Sequence, residues 1–325
     1  MPTEGESLPI RLGVSSCLLG RPVRYDGGHK RDRFLTDVLA GFVDWVPVCP
    51  EVEAELGVPR PAMRLERRRG EVRLVEIASG RDHTRRLERF AAGRVRELRR
   101  LELCGYVLKR GSPSCGVTRV GISGEQAEPR SGDRSGPRHG LYASALIEAF
   151  PHLPIEEEGR LSEARHRECF IERVFAYRRL RALFRLRWTR RHLEAFHAAH
   201  ELQLMSHAPS ATRDLGRLVA SSELPRPVLR ERYAADFTGV LARPATSRRN
   251  VVVLDHAARQ LKTRLDAAAH ADLVERIADY RCGRAPLVVP ITLLAHHARR
   301  EKIASLSGQT YLEPHPVELV LRNRV

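Results

Sequence analysis

Three of the six cysteines stand at, or shortly after, the end of a short apolar run. The run at 10–14 leads into Cys17, the run at 43–48 leads into Cys49, and the run at 105–108 precedes a Gly-Ser-Pro turn that carries Cys115. Apolar runs that are bounded by turn residues and separated by helix-like sequence predict buried strands of a parallel sheet. Because open parallel sheets bind ligands at the carboxyl ends of their strands, the three thiols are expected to meet at one edge.

Thiolates on three separate loops can hold zinc or an iron–sulfur cluster. Structural zinc usually takes four ligands, often with C-x₂-C spacing, and the sequence contains no such pair. A 4Fe–4S cluster bound by three cysteines keeps one iron without a protein ligand, and that iron is a soft Lewis acid suited to sulfur. The sequence therefore favours a cluster on Cys17, Cys49 and Cys115, with zinc as the alternative. The other cysteines, Cys104, Cys169 and Cys282, fit small buried hydrophobic residues.

Oxygen-bearing side chains accompany the thiols. Glu51 follows Cys49 by two residues and could act as a general base, with Glu53 as the fallback. Hydroxyl groups near the first and third cysteines could orient or protonate a bound molecule. The candidate substrate pocket therefore includes Ser16, Ser112 and Ser114, together with Asp26, whose Tyr-Asp-Gly-Gly context is also typical of a turn.

Four motifs in this part of the chain, taken in order, resemble the thiouracil desulfidase family; they are VSSCLLG at 14–20, VRYDG at 23–27, PVCPE at 47–51 and GSPSCG at 111–116. The resemblance covers residues 9–158. It implies a 4Fe–4S cluster with one open iron on Cys17, Cys49 and Cys115, with Glu51 as acid/base and Ser112 as the substrate-orienting hydroxyl. The implied reaction is non-redox: the sulfur of a thiolated pyrimidine, or of a related thioamide, is captured by the open iron and replaced by oxygen from water.

The order of the elements predicts the fold class. Residues 1–158 alternate strand and helix, with a helix at 33–41, a hairpin around 69–70, an irregular loop over 121–140 and a last strand at 153–155. This order predicts an α/β domain with a Rossmann-like parallel sheet. From 162 to about 204 the apolar spacing is that of a nearly continuous helix, so residues 159–188 are interpreted as a connecting helix and residues 189–325 as an all-α domain.

The second part, residues 189–325, resembles the YbgA-like helical domain in the segments FHAAH at 196–200, LMSHAP at 204–209, LGRLV at 215–219, YRCG at 280–283, PLVVPITLLAHH at 286–297 and YLEPHP at 311–316. We expect a partner-binding or substrate-presenting module. Its histidines could bind a metal or phosphate, although packed and hydrogen-bonded histidines are the favoured interpretation; these are His197, His200, His207, His296 and His297. Arg213 and Arg217, one helical turn apart, could hold an anion.

Composition limits the function classes. Hydrophobic content of 42% and charged content of 30% exclude a disordered chain, and six cysteines are too few for a disulfide scaffold. The longest apolar run, at 287–295, is too short for a membrane span, and the acidic start lacks an export signal, so we expect a cytoplasmic protein with no membrane partner.

The net charge of +16 keeps nucleic acid open as a partner of the basic helical domain. Nearly all of this charge is arginine spread along helix faces, which favours a solvated surface. The leading hypothesis is a desulfidase acting on a small thiolated nucleobase. The alternative is a non-enzymatic metal- or cluster-containing protein that binds nucleic acid or senses redox state. A combined hypothesis is desulfuration of a thiolated base within RNA.

Overall fold

The structure, a computed structural model, describes residues 10–118, 120–124, 139–185 and 187–323. The chain divides into two compact units, Met1–Glu163 and Ala164–Val325. The first is built on a parallel sheet and the second is mostly helical, which confirms the predicted fold class.

Four strands form the main sheet of the first unit: β1 (Arg11–Ser15), β2 (Asp44–Val48), β5 (Gly105–Leu108) and β7 (Ile155–Glu157). Their order is β2-β1-β5-β7, and every neighbouring pair is parallel. Ser15 pairs with Val48, and Val14 pairs with Val107, so the carboxyl ends of the three strands that precede the candidate cysteines lie side by side. All four residues of β5 are buried, as the continuous apolar run predicts for a central parallel strand.

A second, smaller sheet contains β3 (Met63–Arg68), β4 (Glu71–Glu76) and β6 (Ile122–Gly124) in the order β4-β3-β6. β3 and β4 form the predicted antiparallel hairpin. Its two-residue turn has positive φ at both Arg69 and Gly70, the conformation that matches the twist of a tight hairpin. β6 falls inside the segment expected to be an irregular loop, where its pairing with β3 aligns Ile122 with Leu65 of the buried core. The remainder of that loop, 125–138, lies outside the described residues.

The helices of the first unit are α1 (Pro50–Glu53), α2 (Thr84–Arg100), α3 (Leu141–Ala149) and α4 (Glu158–Leu161). The helix expected at 33–41 was wrong as a regular helix: two short turns replace it, a wide one at Phe34–Val38 and a tight one at Leu39–Gly41. Leu35 and Leu39 are fully buried, whereas Val38 is 40% exposed because the irregular winding rotates it off the apolar face. The last strand also begins two residues later than predicted, since its buried positions are Glu156 and Glu157 rather than apolar residues.

Gly13 is required by the packing of β1 on β5. A Cβ atom at this position would lie 2.1 Å from two ring atoms of Tyr106, a fully buried residue whose hydroxyl is 3.1 Å from that of Tyr142. The ring cannot yield without breaking that contact. We therefore expect Gly13→Ala to lower the free energy of unfolding of the first unit by about 1–3 kcal/mol or more, measured by urea denaturation.

The matched control for that measurement is Gly93, within α2, where an added Cβ meets no atom within 4 Å. Gly93→Ala should raise stability by about 0.5–1 kcal/mol, since alanine is the better helix former. Equal effects of the two substitutions would contradict the role given to Gly13.

The second unit consists of α5 (Ala164–Arg185), α6 (Arg190–His207), α7 (Pro209–Ala220), α8 (Arg226–Leu241), α9 (Ser247–Leu261), α10 (Ala267–Arg281), α11 (Val288–Arg300) and α12 (Ala304–Ser307). The expectation of one nearly continuous helix from 162 to 204 was wrong. The segment forms two helices, α5 and α6, because the helical backbone is interrupted before Thr189. The Thr189 hydroxyl accepts a hydrogen bond from the backbone N–H of His192, and the His192 ring accepts one from the N–H of Thr189. This reciprocal cap starts a new helix.

Two apolar cores hold the helices of the second unit together. One is formed largely by α9, α10 and α11 with Tyr311, and the other by α5, α6, α7 and α8 around Tyr233 and Phe237. In the described part of the chain, none of the helices combines the length and apolar character that crossing a bilayer requires.

Candidate functional site

A cavity of about 330 Å³ opens at the carboxyl ends of β1, β2 and β5. This size lies at the lower end of the range for small-molecule sites. Its walls bring together all three candidate cysteines with one carboxylate, several hydroxyls, one tyrosine and four cationic side chains. The polar and thiol lining comprises Ser15, Ser16, Cys17, Arg24, Tyr25, Cys49, Glu51, Arg60, Lys109, Arg110, Ser112, Ser114 and Cys115.

The sheet and its first turns position the thiols. Cys17 lies in the tight turn Ser16–Leu19 directly after β1, and Gly20 ends that turn in the left-handed conformation. Cys49 is the residue between β2 and α1, and its backbone N–H donates a 2.8 Å hydrogen bond to Glu53 Oε1. Cys115 lies seven residues after β5 in a separate turn. Cys17 and Cys115 are buried and Cys49 is partly buried.

The turn that carries Cys115 is fixed from both sides. Ser112 Oγ accepts hydrogen bonds from the backbone N–H groups of Ser114 and Cys115, at 3.2 and 3.1 Å. From the other side, the first N–H groups of α3 donate to the carbonyls of Pro113 and Ser114. Gly140 allows this approach, since a Cβ there would lie 2.4 Å from the backbone of Ser114. The turn is therefore preorganised by its own serine and by the start of α3.

Burial and mutual repulsion disfavour the thiolate forms of the three cysteines. Burial, followed by the charge of Cys49, raises the pKa of Cys17 to about 11. Burial also raises the pKa of Cys49 and, reinforced by Glu51 and Cys49, that of Cys115. Thiolates that interact in this way require a nearby positive charge, which a bound metal centre provides.

The donor set fits a cluster better than a single ion. A single ion draws its sulfur ligands to about 2.3 Å from one point. Within the described ranges, no three His, Cys, Asp or Glu side chains are arranged to hold one ion. A 4Fe–4S cluster binds each thiolate at a different iron and so spaces the thiolates around its own body. Three thiols on the walls of one cavity match that requirement.

Glu51 is the carboxylate of this cavity. Its Oε1 accepts a 2.6 Å hydrogen bond from Ser114 Oγ, whereas Ser112 Oγ is 3.5 Å away, at the outer limit of a hydrogen bond. The two serine hydroxyls are 2.9 Å apart. Ser114 Oγ also lies 3.7 Å from Cys115 Sγ, so it connects the carboxylate to a thiol. Ser114 thus contacts Glu51 more closely than does Ser112, to which the sequence analysis gave the larger role.

Arg60 fixes the other oxygen of Glu51. Its side chain is 4% exposed, its Nε donates to Glu51 Oε2 at 2.9 Å, and its Nη2 bonds the same oxygen. Its Nη1 donates to the carbonyls of Val23 and Gly57, and its backbone N–H donates to the carbonyl of Tyr25. Arg60 therefore orients Glu51 and fastens the loop at the cavity mouth. Sequence reasoning missed it, because it stands between two prolines in a segment without periodicity.

Two predicted residues lie outside this cavity. Asp26 is exposed. Its carboxylate accepts a 3.0 Å hydrogen bond from the backbone N–H of Gly28 and forms an ion pair with Arg24, so Asp26 stabilises the turn that its sequence context suggests. Glu53 accepts a hydrogen bond from the backbone N–H of Cys49 and forms an ion pair with Arg94. By contrast, Tyr25 lines the cavity and is 45% exposed. Tyr25 stands in the VRYDG motif, beside the aspartate that the sequence analysis selected.

The histidines of the second unit are dispersed among separate contacts. His200 lies between the carbonyl of Phe196 at 2.7 Å and Arg179 Nε at 3.1 Å, and burial lowers its pKa to about 3. His207 contacts the carbonyl of Arg243 and Glu172 Oε2. These contacts are those of packed and hydrogen-bonded core residues. Of the remaining cysteines, Cys104 and Cys169 are buried as expected, but Cys282 is exposed just after α10.

Comparisons with known proteins cover both parts of the chain. The family model described as 2-thiouracil desulfurase matches residues 12–158, and a model described as a protein of unknown function, DUF1722, matches residues 201–316. A protein of Escherichia coli (strain K12) described as uncharacterized protein YbgA is 29% identical over 153 residues, which are 46% of this chain and 90% of that protein.

A solved structure described as the 4Fe-4S-dependent thiouracil desulfidase TudS is 32% identical in sequence, covers 47% of this chain and 93% of its own, and superposes with a TM-score of 0.36. The two family models match different units of the chain. Residues 12–158 thus belong to the 2-thiouracil desulfurase family, and residues 201–316 belong to DUF1722.

Proposed function

We propose that this protein replaces the sulfur of a thiolated pyrimidine, or of a related thioamide, by oxygen from water, using a 4Fe–4S cluster held by Cys17, Cys49 and Cys115. The observation that carries the proposal is the meeting of three thiols and the Glu51 carboxylate in one cavity of the segment that matches the desulfurase family. The overall reaction converts C=S and H₂O into C=O and H₂S, so no electron is gained or lost.

When bound, the cluster supplies an iron without a protein ligand, which is a soft Lewis acid for sulfur. The three cysteines would hold this group, and the burial of Cys17 and Cys115 limits the access of bulk solvent to it. Arg110 in the cavity wall adds positive charge beside the thiolates, whereas Arg24 and Lys109 of the same wall are paired with Asp26 and Glu158. Glu158 keeps Lys109 and Arg110 in place, because its carboxylate accepts hydrogen bonds from the Lys109 ammonium group and from the backbone N–H of Arg110.

Glu51 acts on the water that attacks the substrate carbon. Because Arg60 binds Oε2, Oε1 accepts a hydrogen bond from Ser114 and keeps a second lone pair with which it can accept a proton from that water. The Ser114 hydroxyl donates to Oε1 and lies 3.7 Å from Cys115 Sγ, so it can pass its own proton toward the departing sulfur and take in exchange the proton held by Glu51; both water protons then leave with the sulfide as H₂S. Tyr25 at the mouth offers an aromatic face on which a planar pyrimidine ring can stack.

Metal and sulfide analysis of anaerobically reconstituted protein tests the proposal. We expect about four irons per chain in the wild type, and release of sulfide and uracil from 2-thiouracil. Cys17→Ser, Cys49→Ser and Cys115→Ser should each lose most of the iron and all detectable turnover. Cys104→Ser is the matched control, a buried cysteine of the same unit that does not line the cavity. It should keep both.

A Cys115→Ser protein that retained a full cluster and full turnover would refute the proposal, and one zinc per chain without iron would favour the non-enzymatic alternative. The substrate panel should include free 2-thiouracil, its nucleoside, and an RNA oligonucleotide that carries a thiolated pyrimidine. The combined hypothesis, in which the base is desulfurated within RNA, rests on the net charge of +16. It would be supported if the oligonucleotide were converted to product and if the rate of that conversion fell steeply as the salt concentration rose.

A further inference from the structure

The second unit contains a separate cavity of about 620 Å³ between α5, α11 and the C-terminal segment. This volume is typical of sites for small organic ligands. One wall is apolar and includes Phe175, Ile291 and Leu312. The other wall carries Arg179 and His315, which distinguishes it from an ordinary packing defect.

Arg179 has no carboxylate partner among the described residues. Its Nε donates to His200 and its Nη1 donates to the carbonyl of Pro314 at 3.0 Å, but its Nη2 is buried without a hydrogen-bond acceptor. Burial lowers the pKa of Arg179 to about 10. Glu172 acts on it only at a distance, since its two oxygens bond Arg322 and His207. A guanidinium with a buried donor atom and no acceptor for it destabilises the folded state unless an anion pairs with it.

His315 supplies a second unused group on the same wall. Its Nδ1 donates to the carbonyl of Pro316 at 3.0 Å, so its buried and unpartnered Nε2 is an acceptor in the neutral ring and becomes a donor only when the ring is protonated. The other cations of this cavity are already neutralised: Arg299 pairs with Glu313 at 2.8 Å, and Arg322 pairs with Glu168 and Glu172. Within the described lining of the cavity, the buried polar atoms without a partner are therefore Arg179 Nη2, a donor, and His315 Nε2.

Backbone strain occurs at the same place. Val320, which lines the cavity, has φ of +53°, a left-handed conformation that is rarely adopted by a β-branched residue. Such conformations persist where the surroundings enforce them and are concentrated at ligand sites.

From these two unused groups we propose that this cavity binds a small organic anion, with its carboxylate or phosphate head group on Arg179 and beside His315, and its apolar body on the wall formed by Phe175 and Ile291. Arg179 Nη2 would donate a charge-assisted hydrogen bond to the head group, and His315 Nε2 would accept the hydroxyl proton of a phosphate monoanion or take up a proton as a carboxylate binds. This inference does not depend on the reaction proposed for the first unit.

Calorimetric titration of the full chain tests it, with benzoate and phenyl phosphate as anions that share a phenyl body and with benzamide as the neutral match. At least one anion should bind with a Kd of about 1 mM or tighter, and benzamide at least about 10-fold more weakly. Arg179→Met should weaken binding by about 10–100-fold. The anion with the lower Kd, benzoate or phenyl phosphate, shows whether the cavity prefers a carboxylate or a phosphate head group.

Arg299→Met is the matched control, because it removes a paired cation from the same cavity, and it should change the Kd by less than about 3-fold. His315→Phe keeps a ring but removes Nε2 and should weaken binding; it decides the question if circular dichroism shows that Arg179→Met is misfolded. The proposal is overturned if neither anion binds to the wild type, if benzamide binds as tightly, or if both Arg179→Met and His315→Phe bind like the wild type.

Discussion

Glu51→Gln is expected to lower the turnover of the reconstituted protein by about 10²–10⁴-fold, the range for loss of a general acid or base. Glutamine keeps the shape of the side chain, and its carbonyl oxygen can accept from Arg60 while its amide group faces the Ser114 oxygen, but it cannot take a proton from water. The iron content should stay at the wild-type level, since the three cysteines are unchanged. Steady-state sulfide release and iron analysis on the same preparation provide the measurement.

A change in stability must be separated from this change in chemistry. Glu51 neutralises Arg60, whose side chain is 4% exposed, so glutamine leaves a buried guanidinium without its counter-charge. Turnover should therefore be compared at a temperature where circular dichroism shows both proteins folded. Glu53→Gln is the matched control: this carboxylate stands two residues away, binds Arg94 and the N–H of Cys49, and does not line the cavity. It should change turnover by less than about 10-fold. If the Glu51→Gln protein contained the wild-type amount of iron and kept the wild-type turnover, Glu51 would not be the acid or base of the reaction.

The parts of the site that lie next to strands could be predicted from the sequence. Cys17 and Cys49 follow apolar runs directly, and parallel pairing of β1 with β2 brings the ends of those runs together. Cys115 is farther from its strand, but the Gly-Ser-Pro sequence before it marks the turn that returns it to the same edge. In these cases the local pattern and the tertiary arrangement agree.

The remaining residues depend on contacts that no local pattern specifies. Arg60 reaches Glu51 from an irregular segment, and its role is visible only once the loop at 23–25 lies against it. The choice between Ser112 and Ser114 turns on less than 1 Å of hydroxyl position. Asp26 and Tyr25 are neighbours in one motif, and backbone direction alone decides which of them lines the cavity.

In the second unit, the local pattern identified helices but not their ends or their polar core. The break before Thr189 has a capping sequence, which the strong apolar periodicity on either side obscured. The ion pairs of the polar core are even harder to predict from the sequence than the helix ends. Glu168 and Glu172 are on α5, Arg322 lies about 150 residues later, and each would be assigned to the surface by residue type.

Arg322→Met is expected to lower the free energy of unfolding of the second unit by about 3–5 kcal/mol, because it leaves the buried Glu172 and the partly buried Glu168 without their cation. Arg322 is 8% exposed and binds Glu168 Oε1 at 3.0 Å, Glu172 Oε1 and the carbonyl of Tyr311 at 2.6 Å. Although burial opposes ionisation of Glu172, Arg322 and His207 lower its pKa to about 2. Burial, reinforced by Glu172, raises the pKa of Glu168 to about 7.

The pH dependence of the loss follows from these shifts. In the wild type, the depressed pKa of Glu172 contributes stability above its ordinary value of 4.5, and this contribution disappears as the pH falls toward 2. Without Arg322, burial raises the pKa of both carboxyls above 4.5, so the variant should lose stability as the pH rises from about 5 to 8. The difference between variant and wild type is therefore largest at neutral pH and smallest in mild acid.

Tryptophan fluorescence can report this loss for the second unit alone. The chain has two tryptophans, Trp45 in the first unit and the buried Trp188 in the second, so a Trp45→Phe background isolates the Trp188 signal during urea unfolding. Arg299→Met, which breaks an exposed pair with Glu313, should cost at most about 1 kcal/mol in the same background. Adding Glu168→Gln and Glu172→Gln to Arg322→Met should recover part of the loss, since the triple variant contains no unpaired buried carboxylate. If the triple variant were as unstable as Arg322→Met, the loss would come from the packing of Arg322 on Tyr311, over whose ring its guanidinium lies at 5.2 Å, rather than from charge.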